Sequence, residues 1–474
     1  MNLADLGVAE LAHTVASGDL TAGQVVEDCL ARIAERDPAL NAFSGVLAEG
    51  AREEAAARDA ELAEGRPAGL LHGVPIAVKE EIDVAGCVTT FGGRGNSTPA
   101  EHDSEVVRRL RAAGAVVIGK TRMPEFGQWP YTESADGGIT RNPWDPTRTP
   151  GGSSGGTAVA VAAGMVPCGL GGDGGGSIRI PSACCGLFGL KPARGRVSSA
   201  PMRHLWWALG TTGPLTRSVL DSALVYDAIR GSRPDDLFSA PEPERGFVES
   251  VLDPVPRLRV GWSTRPAARG VRPDLQAVRA VRETAALLDR LGHDVAQVEP
   301  DYPDLTFAFG AQFYAGVRAE ADAVEHFDRL ERRTRETYRL GGWVRPAVLE
   351  RALAAGEKVA ERANQVFDGA DGVDVLLTPS IATRPREVGV LSSGGTLTQM
   401  WRAMPMIAYT AVWNVAGNPA ASVPAGVGPD GLPLAVQLVG RRADEATVLR
   451  LAAELESERP WRMPQVPSPS GAAR

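Results

Sequence analysis

Three serines and one lysine have the surroundings that covalent chemistry needs. Ser153 and Ser154 lie in Pro150-Gly-Gly-Ser-Ser-Gly-Gly-Thr157, and Ser177 follows Gly171-Gly172-Asp173-Gly174-Gly175-Gly176. Glycine at this density costs backbone entropy, so a plain core element would not carry it. Side-chain-free residues let consecutive N–H groups turn toward one point and form an anion nest, here beside the Ser177 hydroxyl. Amide cleavage asks for a nucleophile, a base and donors for the developing oxyanion, and each donor is worth about 2.7–4 kcal/mol in the transition state. The six histidines are dispersed (His13, His72, His102, His204, His293 and His326), so none is an evident base. Lys79 is the candidate, at the end of the apolar run Val74-Pro75-Ile76-Ala77-Val78. It has two readings. It is a strand end reaching solvent and pairing with Glu80 or Glu81, or it is a desolvated lysine. Burial would lower its ordinary pKa of about 10.4, and a second serine would relay the proton.

Other chemistries fit less well. No phosphate-binding loop is expected, and Asp173 inside its glycine run would repel a pyrophosphate. No H-E-x-x-H and no C-x-x-C occurs, so no metal and no cofactor is expected. Ser177 is followed by Ile178-Arg179 and so does not sit in a G-x-S-x-G elbow, and no S-x-x-K occurs. For Asp173, holding the glycine loop by accepting N–H bonds is favoured over acid–base work. Ser154 also reads as the N-cap of a helix over 155–164.

These residues need a scaffold, and the hydrophobic periodicity supplies an α/β one. Helices are expected at 3–16, 22–36 (capped by Thr21), 47–64, 103–113, 217–230, 273–291, 402–412 and 444–457. A mostly helical layer is expected over 305–369. Strands are expected at 74–78, 114–120, 257–262, 294–298, 373–378, 419–424 and 433–439. The segments 121–149, 200–214 and 379–401 read as irregular, and 232–256 as a linker. The chain has 474 residues and a net charge of −8. That charge argues against a nucleic-acid or membrane-surface binder. No signal peptide or long apolar run is visible, so a cytoplasmic location is expected. The five cysteines read as reduced, buried thiols.

The run GGSSGGTAVAVAAG…GGDGGGSIRIPSACCGLFGLKPARGRVS resembles the signature of the amidase signature family. HGVPIAVK, GAVVIGKTRMPEFG, TESADGGITRNPWD and NPAASVPAG…GLPLAVQLVG are similar to further family segments, so the likeness spans about 70–225 and 373–457. It implies a large mixed central β-sheet covered on both faces by α-helices. Residues 1–457 would form one domain and 458–474 a Pro/Ser-rich tail. It also implies a Ser–cis-Ser–Lys triad. Ser177 would be the nucleophile, Ser153, after a cis Gly152–Ser153 bond, the bridge, and Lys79 the base. Ser154 and Arg179 would support them, and the backbone of Gly174, Gly175, Gly176 and Ser177 would form the oxyanion hole. The sequence departs from the family twice. Many members have Asp-Asn after the lysine, where this chain has Glu80-Glu81. Many have Thr before the loop aspartate, where it has Gly172.

The resemblance also puts Gly127, Gln128, Trp129 and Tyr131 beside the substrate. Trp206 and Trp207 would cover the cleft, and Gln399 would line its mouth. Aromatic lining favours an apolar or aryl amide or carbamate, hydrolysed with water by a monomer or homodimer; plain core packing of these aromatics is the equal alternative. Two alternatives are a glutaminase-type subunit of a tRNA-dependent amidotransferase and a non-catalytic binding scaffold. EFGQWPYTES lacks the small, serine-rich character associated with the former, and retention of Lys79, Ser153 and Ser177 argues against the latter.

Overall fold

Apolar runs without alternation, such as Val74–Val78, are expected to be strands buried on both faces. A computed structural model describes residues 3–390 and 395–464. Its strands are β1 Phe43–Val46, β2 Pro75–Lys79, β3 Val116–Thr121, β4 Glu133–Ser134, β5 Gly138–Ile139, β6 Cys168–Asp173 and β7 Phe188–Lys191. They continue as β8 Thr211–Thr216, β9 Arg259–Trp262, β10 Asp294–Gln297, β11 Val375–Pro379, β12 Ala420–Val427 and β13 Pro433–Gly440.

Eleven of them form one sheet in the order β1-β3-β2-β6-β8-β7-β12-β13-β11-β9-β10, and β4 pairs with β5 as a separate hairpin. The sheet is mixed. β3, β2 and β6 run parallel, as do β11, β9 and β10. The middle is antiparallel. Every residue of β2, β3, β6, β7, β8 and β11 is buried. Side chains alternate across a strand, so helices cover both faces of the sheet's centre. The edge strands β1 and β10 keep exposed residues. The helical layer expected over 305–369 is present as Thr306–Ala323, Arg332–Leu340 and Pro346–Asn364. Thr21 closes a capping box with Gln24.

Local reading failed in several places, among them the hairpin β4–β5 inside the segment expected to be irregular. β8 lies partly in the stretch expected to be a loop, because Gly213 and Pro214 argue against a strand. Pro214 pairs only with Leu170 of β6, beyond the stretch that β7 covers. It has no N–H to give, and the Leu190 carbonyl of β7 accepts the Tyr226 hydroxyl. β1 is a four-residue edge strand containing glycine, too short for a periodic signal. The expected linker holds the helix Phe247–Leu252, anchored by the buried Phe247. The helix Thr396–Ile407 begins inside the segment expected to be irregular, and a separate helix, Ala411–Ala416, follows it.

The parallel neighbours β2 and β6 bring the site together. Lys79 ends the first and Asp173 the second, so both emerge at the carboxyl edge, where ligands bind in such sheets. The helix Gly155–Ala162 packs beneath these strands. Its two glycines let it approach the segments just before β1 and after β3 and the Thr132 loop. A Cβ on Gly156 would lie 2.5 Å from both the Ala42 carbonyl oxygen and the Arg122 nitrogen, and one on Gly155 would lie 2.1 Å from the Thr132 hydroxyl.

Candidate active site

Lys79 is 1% exposed at the end of β2. Its Nζ donates to Ser153 Oγ at 2.8 Å and pairs with Glu81 Oε1 at 3.0 Å. The solvated strand end is therefore overturned, while the expected pairing with Glu81 is present. Glu80 points elsewhere, accepting from the Thr90 hydroxyl at 3.0 Å and the Met123 N–H at 3.1 Å. Burial pushes its carboxyl above the ordinary value.

The Gly152–Ser153 peptide is cis. A Cβ on Gly152 would lie 2.7–2.9 Å from the backbone of Tyr131, so only glycine lets these two segments meet. Ser154 follows. Its N–H donates to the Ser177 carbonyl at 3.2 Å and its hydroxyl to the Gly172 carbonyl at 3.2 Å. Its side chain makes no capping bond to the helix it precedes. Ser154 thus ties the two glycine runs to each other, and the expected side-chain cap is absent.

Asp173 organises the second run. Its carboxylate accepts from the N–H groups of Gly176 at 2.7 Å and Ile178 at 3.1 Å. Asn414 Nδ2 donates to it at 2.8 Å. Burial alone would raise this carboxyl, but the Arg179 guanidinium and Asn414 hold it well below the usual carboxylate range. The Gly176 N–H is thereby committed to Asp173 and is not aimed at a substrate oxygen. The φ of Gly176 is 128°, and a Cβ there would lie 2.4 Å from the Thr410 hydroxyl. Thr410 Oγ1 donates to the Gly175 carbonyl at 2.6 Å, which holds the loop from the other side.

Lys79, Ser153 and Ser177 line one cavity with Glu81, Gly127, Gly172, Asp173, Gly174, Leu205, Trp206, Gly210 and Glu320. Its volume is about 30 Å³, room for roughly one water. The Trp206 indole forms one wall, and a Cβ on Gly174 would meet its ring at 2.9 Å. Trp206 Nε1 donates to Glu320 Oε1 at 2.9 Å, and the ring packs edge-on against Phe313 at 5.2 Å. Burial, with Glu81 nearby, pushes the Glu320 carboxyl well above its ordinary value.

Of the residues expected at the substrate, Gly127 and Trp206 line the cavity. The others serve different purposes. Gln128 Nε2 donates to the Glu125 carbonyl and to Thr334 Oγ1. Trp129 is 2% exposed, in the core, with the Arg333 guanidinium over its ring. Tyr131 is fully buried and packs its backbone on Gly152. Trp207 stacks on His204 at 4.1 Å and lines a neighbouring recess. Gln399 is buried on the helix Thr396–Ile407, away from the cavity. The aromatic residues of 129–131 and 207 are thus packing residues, a role their type alone does not separate from ligand binding.

Sequence reading missed Glu320, Thr410 and Asn414, which lie far along the chain in segments without a chemical pattern, and Gln437, which lies in a quoted segment but was given no role. Glu81 stood out as a departure from the family and as one of two carboxylates expected to pair with Lys79. The reading also passed over Gly114-Ala-Val-Val-Ile-Gly-Lys-Thr121, which matches the phosphate-loop letters G-x-x-x-x-G-K-T. Those residues run into β3, and Lys120 Nζ donates to the Ile82 carbonyl, so no phosphate loop forms.

Comparison with known proteins gives the family and the fold. The family model Amidase matches residues 24–449. The chain is 47% identical to "Putative amidase AmiB2" of Mycobacterium tuberculosis (strain ATCC 25618 / H37Rv), over 97% of each chain. The structure of 6-aminohexanoate cyclic dimer hydrolase complexed with substrate superposes with a TM-score of 0.89 at 31% identity, covering 98% of this chain and 100% of that one. A bacterial aryl acylamidase of the amidase signature family superposes with a TM-score of 0.87 at 27% identity, over 96% of each chain. With its eleven-stranded mixed sheet and the family match over nearly its whole length, the chain belongs to the amidase signature family of amide hydrolases.

Proposed function

We propose that the chain hydrolyses a small aryl or apolar amide or carbamate through an acyl-enzyme on Ser177, with Ser153 as proton relay and Lys79 as base. The observation that carries the assignment is the buried 2.8 Å hydrogen bond between Lys79 Nζ and Ser153 Oγ, at a cavity that Ser177 also lines. Lys79 in its neutral form accepts the Ser153 hydroxyl proton as Ser153 takes that of Ser177. Ser177 Oγ bonds to the carbonyl carbon and the carbonyl oxygen becomes an oxyanion. The Gly174 and Gly175 N–H groups are the donors assigned to it, while Gly176, held by Asp173, shapes the turn. As the tetrahedral intermediate collapses, the C–N bond breaks and the proton returns through Ser153 to the leaving nitrogen. Water then attacks the acyl carbon along the same relay, releasing the acid and restoring Ser177.

The aryl preference rests on Trp206, the aromatic residue that lines the cavity, and on the rings that back it. Trp206 and Phe313 are in edge contact, Phe309 and Phe313 are stacked at 6.3 Å, and a Cβ on Gly175 would meet Phe309 at 3.2 Å. The test is to assay the purified chain, without partners, on aryl amides, aryl carbamates and glutamine, with Ser177→Ala as control. Turnover of an aryl substrate that the variant loses is the expected result. Turnover of glutamine alone would favour an amidotransferase-type glutaminase, and undiminished activity of Ser177→Ala would reject the nucleophile.

A further inference from the structure

The two departures from the family pattern meet in space. Glu81 Oε1 lies 3.0 Å from Lys79 Nζ. A Cβ built on Gly172 would lie 2.1 Å from that same oxygen. A side chain at position 172 and the Glu81 carboxylate therefore exclude each other. Gly127, at φ +63°, lies on the other side of this carboxylate, where its Cβ would stand 3.5 Å from Glu81 Oε2 and 3.0 Å from Ser153 Oγ. Glu81 thus fills the space that the bare Gly172 leaves open, and it does so against the amine that serves as base.

We propose that the Glu81 carboxylate, seated where Gly172 has no side chain, gives Lys79 a counter-charge, making Glu81 a positioning residue for the base. This deepens the proposed function and rests on its assignment of Lys79. When Lys79 takes the proton relayed from Ser177, an ammonium forms 3.0 Å from Glu81. A negative charge already in place favours that form with little reorganisation. It also holds Nζ in line with Ser153. The charged and titratable groups facing Glu81 are Lys79 on β2, Lys120 on β3 and Glu320 on the helix Thr306–Ala323.

The consequence is a linked change that mere packing would not produce. Removing the charge makes Lys79 easier to deprotonate and a weaker base. The rate at the pH plateau falls while the acid limb of the profile moves to lower pH. Labelling of Ser177 by a small alkyl fluorophosphonate reads this without knowledge of the natural substrate. Ser177 Oγ bonds to phosphorus, fluoride leaves, and the proton passes to the relay. Rates are followed from pH 5 to 10 by intact mass spectrometry.

Glu81→Gln is expected to slow plateau labelling on the order of 10–100-fold and to shift the acid limb down by roughly one unit or more. Glu81→Asp is expected to recover part of both. Gly172→Thr forces Glu81 off Lys79, so it slows labelling more alone than in the Glu81→Asn background, a non-additivity that reports direct contact. An acid limb that stays in place in Glu81→Gln overturns the proposal whatever the plateau rate. An equal effect of Gly172→Thr in both backgrounds overturns the reciprocal fit. If Gly172→Thr fails to fold, as read by circular dichroism, Glu81→Gln decides alone. Labelling that persists in Ser177→Ala would instead reject the proposed nucleophile.

Discussion

The Arg179 guanidinium grips the Asp173 carboxylate at both oxygens, Nε at 3.0 Å and Nη2 at 2.9 Å, with both side chains 0% exposed. Its remaining N–H groups reach the Thr410 carbonyl at 3.0 Å, Gln437 Oε1 at 2.9 Å and Asn414 Oδ1 at 2.6 Å. All five guanidinium donors thus have acceptors, the condition under which a buried arginine is tolerated. The loop carrying Ser177 is fixed through this pair to residues more than two hundred positions away.

Breaking the pair on one side is therefore costly. Arg179→Met leaves a carboxylate buried without its cation, and a loss of about 3–5 kcal/mol is expected in urea unfolding. Turnover should fall as well, because the Gly176 and Ile178 N–H groups lose a fixed acceptor. A stability change below about 1 kcal/mol would show that Asp173 is held by its N–H donors alone.

The relay predicts strong non-additivity. Ser177→Ala, Ser153→Ala and Lys79→Ala are each expected to lower kcat on the order of 10⁴-fold or more, and the triple variant scarcely further, as for residues acting as a unit. Melting temperatures should change little for the serine variants. Multiplicative losses in a kinetic cycle on one aryl substrate would show that the three act separately.

Trp206 walls a cavity with room for about one water, so a shift of its indole would admit a larger substrate. The residue holds φ near +49°, and the adjacent Trp207 near +60°. This left-handed backbone costs about 1–2 kcal/mol per residue for non-glycine side chains. Trp206→Ala is expected to lower KM for bulky acyl groups and raise it for small aryl ones, where the indole supplies contact. Equal changes in KM across a series of graded acyl size would exclude a gating wall.

Two acids away from the site set a pH dependence of stability. Burial, with the like charge of Glu331, pushes Glu125 up to about 7. Burial, with Asp221 nearby, pushes Glu456 up to about 7. Each keeps its proton in the folded state between about pH 4.5 and 7, while the unfolded chain has released it. The folded state binds more protons there, so stability falls as pH rises through that window and levels off above it. Glu125→Gln and Glu456→Gln should each flatten the decline, measured as Tm from pH 4 to 8. An unchanged slope in both variants would mean these carboxyls ionise as readily folded as unfolded.

Much of the site is local in the chain and was legible there. The glycine–serine runs, Asp173 as an acceptor of loop N–H bonds and a lysine at the end of an apolar strand all follow from neighbours in sequence. Hydrogen-bond reach and backbone freedom act over a few residues. The strands of the buried sheet were legible for the same reason where their apolar runs were unbroken. β8 was not, because the rule that bars proline from strands depends on which neighbour lies alongside Pro214.

Sequence by itself determined the chemistry on offer: a serine beside a nest of N–H groups, a second serine and an amine. Only the tertiary structure decided how that chemistry is held and enclosed. It joined β2 to β6 so that Lys79 reaches Ser153, and carried Thr410, Asn414 and Gln437 onto Arg179. It assigned Tyr131 to packing and Trp206 to the cavity wall. It also brought Glu81 into the space over Gly172. The physical reason is that satisfying a buried charge and excluding two atoms from one volume are properties of three-dimensional neighbours. Sheet order, rather than position along the chain, selects those neighbours.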